Sequence, residues 1–87
     1  MEEKSWPPWW HWELELTPHL LKRMVDRQFT EVDLREMLET AVVYHADIVE
    51  GRYVIGSKHR KKRWEVIVEP DVGVKRLVVI TAYPVGE

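Results

Sequence analysis

His19, Arg23 and Arg27 recur at intervals of four residues. On a helix that spacing stacks them along one face. Three cation-capable side chains in one stripe repel one another by about 0.2–0.5 kcal/mol per pair, and a bound anion such as a phosphate relieves that repulsion. His19 falls at the expected start of the helix, where the dipole favours neutral imidazole. A neutral imidazole near neutral pH is a general base. The competing arrangement pairs the arginines with acids such as Asp26 or Glu31 and leaves His19 in solvent.

Three further groups could do chemistry. Lys58-His59-Arg60-Lys61-Lys62-Arg63 places six cation-capable residues in a row. As the loop of a hairpin they suit a phosphate backbone, with binding that weakens steeply in salt. As a solvated loop they would keep sheet edges charged. Thr81 and Tyr83 share one face of a strand because side chains alternate. Their hydroxyls can bind a phosphate or orient a base, or else pack at the core rim. Trp6, Trp9, Trp10 and Trp12 form either a stacking and protein-contact surface, including a homodimer interface, or an extension of the core. His11 and His45 have no obvious partner. No metal-ligand spacing stands out, so neither metal nor cofactor is expected.

The elements that must position these groups are legible from pattern. Ser5 to Trp12 reads as a Trp/Pro-rich arm, residues 1–12, ahead of a single domain spanning 13–87. A short strand is expected at about Trp10–Leu16, where Glu13 to Leu16 alternate polar and apolar. Thr17-Pro18 is a cap followed by a proline suited to the first helical turn, and predicts a helix over Pro18–Arg27. Leu20, Leu21, Met24 and Val25 mark its apolar side. Thr30 opens a second helix, with Asp33 in the capping-box position and Leu34, Met37, Leu38 and Ala41 as the buried stripe. Strands follow at Val42–Val49, Arg52–Lys58, Arg63–Glu69 and Lys75–Tyr83. Gly56 is expected to mark a bulge, and Pro70-Asp71-Val72-Gly73 a turn in which Gly73 takes the positive φ. The apolar run Leu77–Ile80 places the last strand centrally.

The 87 residues suffice for one domain, 45% of them hydrophobic and five of them Trp. The absence of cysteine rules out disulfides and thiolate metal sites. It fits a reducing compartment. The acidic start lacks the pattern of a signal peptide, and no apolar run reaches the roughly 20 residues of a membrane span. A cytoplasmic protein without membrane contact is therefore expected. The net charge of −2 conceals a split. Residues 1–50 carry 11 Asp/Glu against 5 Lys/Arg, and residues 51–87 carry 4 against 8. Such asymmetry hints at a polyanion-facing C-terminal half, or at self-association.

The order of the pieces resembles a group of small bacterial domains. It reads Thr17-Pro18-His19, Lys22-Arg23-Met24 and Arg27, then the helix from Thr30, then Gly51-Arg52-Tyr53. Trp64-Glu65-Val66-Ile67-Val68 and Val79-Ile80-Thr81-Ala82-Tyr83 complete it. That group is similar to the RelE-like, ParE-like and barnase/EndoU/colicin-type ribonuclease toxins. The resemblance implies an α+β fold, with two N-terminal helices packed on a four- to five-stranded antiparallel sheet. It implies a toxin of a toxin–antitoxin or polymorphic toxin system that cuts RNA without metal by attack of the ribose 2′-hydroxyl, with an antitoxin protein as partner. His19 would then be general base or acid, Arg23 and Arg27 would hold the phosphate, and Thr81 and Tyr83 would position the scissile group or protonate the leaving oxygen. RNA contacts would come from Arg52, Lys58, Arg60, Lys62 and Thr81. A non-catalytic protein-binding module, or a toxin with a protein target, dimerising through the Trp arm, is the competing expectation.

Overall fold

A computed structural model describes residues 7–85. A 3₁₀ turn at Pro8–His11 leads into β1 (Glu13–Leu16), α1 (Pro18–Arg27) and α2 (Glu31–Glu39). Four strands follow: β2 (Val43–Ala46), β3 (Tyr53–His59), β4 (Lys62–Asp71) and β5 (Arg76–Pro84). The fold is α+β, with two helices and one five-stranded sheet in the order β1-β5-β4-β3-β2.

The helix boundaries follow local chemistry. The Thr17 hydroxyl accepts the Leu20 amide at 3.1 Å, and Pro18 fills the first turn. Gln28, at φ 58°, ends α1 in the left-handed region. Thr30 and Asp33 form a reciprocal capping box, with bonds of 3.2 and 2.9 Å. Aspartate therefore does here what glutamate more often does.

The expected antiparallel sheet fails at one pair, because β1 runs parallel to β5. The helices follow β1, within the strand expected at Trp10–Leu16, and do not start the fold as the resemblance implied. Three successive antiparallel pairings carry the chain from β2 to β5, and β5 arrives beside β1 pointing the same way. Alternation in Glu13–Leu16 sets which side chains face the core. The direction of a neighbour reached only at the far end of the chain has no local signal.

Both helices lie against one face of the sheet. Leu20, Leu34, Met37 and Leu38 share a core with Ile55, Trp64, Val66, Val68, Leu77, Val79 and Ala82. Among the described residues no helix covers the second face. The β4–β5 register carries a bulge: Ile67 opposes Thr81 while Val68 opposes Val79, so Ile80 is the extra residue. The bulge reverses the alternation of β5. Leu77 and Val79 point into the core before it, and Ala82 does so after it. Thr81 and Tyr83 are thereby turned to the open face.

Two turns differ from expectation. Arg60 and Lys61 form a two-residue hairpin turn with φ of 54° and 66°, a primed turn that matches strand twist. The basic run is therefore strand, turn and strand, not a loop. Between β4 and β5 the positive φ falls on Lys75, at 57°, while the Gly73 amide bonds the Asp71 carboxylate at 3.1 Å. Gly56 makes no bulge, because β3 and β4 stay in register across it. A Cβ there would lie 2.8 Å from Val43 Cγ1, so glycine makes room for the neighbouring strand's side chain.

Trp9 is only 8% exposed. Its ring lies 5.0 Å from Tyr53 and 6.0 Å, edge-on, from Tyr44. Trp10 and Trp12 pack partly on the same core. Trp6 lies outside the described residues. Trp9→Ala is expected to cost about 3–5 kcal/mol, read by urea denaturation. A loss near zero would show that this ring does not contribute to the core.

Candidate functional site

The open face is read in rows across the strands. Lys58 on β3 stands directly opposite Arg63 on β4. The next row is Val43, Gly56, Glu65 and Tyr83, and the one after it His45, Val54, Ile67 and Thr81. Val54 and Ile67, at 7% and 8% exposure, make a buried apolar centre apart from the main core. The polar groups sit around it.

The Tyr83 hydroxyl donates to Glu65 Oε1 at 2.8 Å across the β4–β5 pair. Burial, then the hydrogen bond and charge of Glu65, push the phenol up to about 12. Asp47 raises it further, and Arg27 partly offsets the rise. Tyr83 is thus a neutral donor at physiological pH, and it fixes one oxygen of Glu65. Beyond it, Arg52 Nε donates to Glu69 Oε1 at 3.0 Å. That pair is partly exposed, so its contribution to stability is small.

Lys58 and Arg63 face each other with like charge, an arrangement that destabilises a strand pair. They border a cleft of about 250 Å³ that is also lined by His45, Gly56 and Glu65. The Val43 side chain packs over Gly56 and lines the cleft with it. His45 Nδ1 lies 3.0 Å from the Ala46 carbonyl. A carbonyl only accepts, so Nδ1 carries the hydrogen and Nε2 is left for proton exchange.

The helical stripe is used differently along its length. Arg27 Nη1 donates to the Ala82 carbonyl at 2.8 Å, on the edge of β5 beyond the end of β1. Arg23 pairs with Asp26 at 3.1 Å on the surface, as the competing arrangement anticipated. His19 is exposed and makes no hydrogen bond or ion pair among the described residues. Only Arg27 therefore reaches the strand carrying Thr81 and Tyr83.

The structure brings Arg52, Lys58, Thr81 and Tyr83 to one face. It separates Arg60 and Lys62 from them. Arg60 turns back to the Gln28 carbonyl at 3.2 Å and lies 3.7 Å from Asp33, and Lys62 falls on the opposite alternation from Arg63. Sequence reasoning missed His45, Glu65 and, as a distinct group, Arg63. The alternation of each strand could have matched Lys58 with Arg63 once the turn was known to be two residues long. His45 needed the β2–β3 register, which the sequence does not display.

No helix among the described residues is long and apolar enough to cross a membrane. A family model described as a domain of unknown function (DUF4258) matches residues 16–84. No curated protein and no solved structure matches the chain.

The raised phenol has a consequence for alkaline stability. A group whose folded pKa lies above its unfolded value stabilises the fold fully below the unfolded pKa. Tyr83 therefore contributes below about pH 10, and its contribution is lost as pH rises towards 12. Tyrosinate absorbance, compared with Tyr83→Phe, should assign the latest titration to Tyr83. Glu65→Gln should bring it part of the way back, since burial remains. Co-titration of every tyrosine near pH 10 in the native protein would contradict the buried pair.

Proposed function

The chain belongs to the DUF4258 family, and for this member we propose RNA cleavage at the cleft on the open face of the sheet. One observation carries the proposal: His45, Lys58, Arg63 and Glu65 line a single concavity. The opposed cations Lys58 and Arg63 are a binding site for a phosphodiester, whose charge relieves their repulsion. Glu65, braced by Tyr83, takes the proton of the ribose 2′-hydroxyl as that oxygen attacks phosphorus. Protonated His45 gives a proton to the departing 5′-oxygen from Nε2. A new P–O bond replaces the broken one, leaving a 2′,3′-cyclic phosphate and a free 5′-hydroxyl. The arginine or lysine across the cleft offsets charge developing on the phosphoryl oxygens.

Thr81, one row from Tyr83, and Arg52 extend the face along which a strand of RNA would lie. Arg27, which reaches the Ala82 carbonyl, marks the rim. This reading keeps the toxin-type ribonuclease expectation and the sheet positions Tyr83, Thr81, Arg52 and Lys58. It moves the acid–base pair from the helix to the sheet.

A protein-binding role has an observation of its own. Leu21 and Val25, 49% and 79% exposed, border a groove whose lining also includes the partly buried Met24 and the buried Phe29. Apolar side chains grouped in this way are a feature of protein contact surfaces. An antitoxin-type partner would meet the chain there and leave the cleft on the other face free.

The deciding experiment compares cleavage of single-stranded RNA by the native chain, Glu65→Gln, His45→Ala and His19→Ala. Glu65→Gln and His45→Ala should each lose about 10²–10⁴-fold in rate, with His19→Ala near native. Arg63→Ala should weaken RNA binding and lower the salt slope by about one. Loss of cleavage in His19→Ala with the two cleft variants active would return the chemistry to α1. Absence of cleavage by every protein would overturn the enzymatic reading.

A further inference from the structure

His59 is the buried member of the basic run, at 8% exposure on the helix side of the sheet. Its ring stands edge-on to Trp64 at 5.6 Å. Its Nε2 has no hydrogen-bond partner among the described residues. That nitrogen lies 3.9 Å from Asp33 Oδ2, beyond hydrogen-bond reach. Asp33 sits in the first turn of α2, and Glu36 follows one turn later on the same side of the helix. The ligand atoms of Asp33, Glu36 and His59 all lie within 4.8 Å of one another.

We propose that Asp33, Glu36 and His59 bind a divalent cation of the zinc class, which clips α2 to the β3–β4 hairpin. One imidazole nitrogen and two carboxylates form a donor set that suits Zn²⁺. With bonds of about 2.0–2.2 Å, tetrahedral ligand atoms stand roughly 3.4 Å apart. From separations of up to 4.8 Å, the ligand atoms need close by at most about 1.4 Å to reach that geometry. A solvent molecule completes the fourth position on the exposed Glu36 side. The orphaned Nε2 gains the partner it lacks, and the two carboxylate charges are neutralised.

The capping box survives in this arrangement. Asp33 Oδ2 accepts the Thr30 amide, which leaves the second carboxylate oxygen for the ion. Arg60 Nη2, 3.7 Å from Oδ2, is the resident cation. Its side chain is 63% exposed, so it swings into solvent when the metal enters. His59 and Lys58 alternate on β3, which places this site on the face opposite the cleft. The ion is therefore a fastening of the helix layer and takes no part in the chemistry proposed for the open face.

The test titrates the full, untagged chain with zinc chloride after chelation. Calorimetry should give one ion per chain, and thermal melting should rise with zinc concentration. Cobalt should produce the visible absorption of a tetrahedral site. Glu36→Ala is the decisive variant, because Glu36 is exposed and outside the capping box. It should melt with the chelated native protein and lose at least about tenfold in zinc affinity. Asp33→Asn, which keeps an oxygen for the cap, should lose binding likewise. His11→Ala should bind as the native chain does. Zinc that leaves native melting unchanged, or binds Glu36→Ala and Asp33→Asn as tightly as the native protein, overturns the site.

Discussion

The extra residue in β5 governs the chemistry of the sheet. Before Ile80, odd-numbered positions of β5 fill the core. After it, Ala82 takes that place and Thr81 and Tyr83 emerge on the other side. A bulge interrupts the ladder and needs support, and α1 provides it. Thr17 donates its hydroxyl to the Val79 carbonyl at 3.2 Å, beside the bulge, while accepting from Leu20 in its own helix. One residue thus caps α1 and pins it to β5. At the other end Arg27 closes on the Ala82 carbonyl. Between these points α1 seals the stretch of β5 edge that β1 is too short to pair.

The same alternation sorts the charges. Lys58 and Arg63 face the open side, whereas His59 between them and the turn turns inward to Trp64 and Asp33. A hairpin with a two-residue turn forces this division, because successive side chains of a strand take opposite faces. One basic run therefore supplies two environments: a like-charged couple over a cleft, and a buried imidazole beside a helix cap. Acids complete both, with Glu65 and Glu69 on the open face and Asp33 and Glu36 on the helix side.

A domain of this length has little interior to spend on stability. Aromatic side chains compensate, since each buries a large area. Trp9 meets Tyr44 and Tyr53 at one side of the sheet, and Phe29 lies 5.3 Å from Trp64 at another. The tryptophans preceding β1 thus help close the core, and β2, the short edge strand, is held by Tyr44.

The sequence by itself determined what is local. Pro18–Arg27 is helical because Thr17 caps it, Pro18 suits its first turn and its apolar residues keep a 3.6 period. The capping box fixed the start of α2, and alternation located every strand to within a few residues. The four-residue spacing of His19, Arg23 and Arg27 put them on one stripe and offered Asp26 as a partner, but could not say that Arg27 would turn to a strand 55 residues away. Tertiary structure alone decided the parallel pairing of β1, the bulge at Ile80 and the meeting of His45 with Glu65 at one cleft. Each depends on register between segments distant in the chain, and a one-residue slip in register exchanges the two faces of a strand. The alternation of Leu77, Val79, Thr81 and Tyr83 reads as one face from end to end. Only pairing with β4 divides it between the core and the open face.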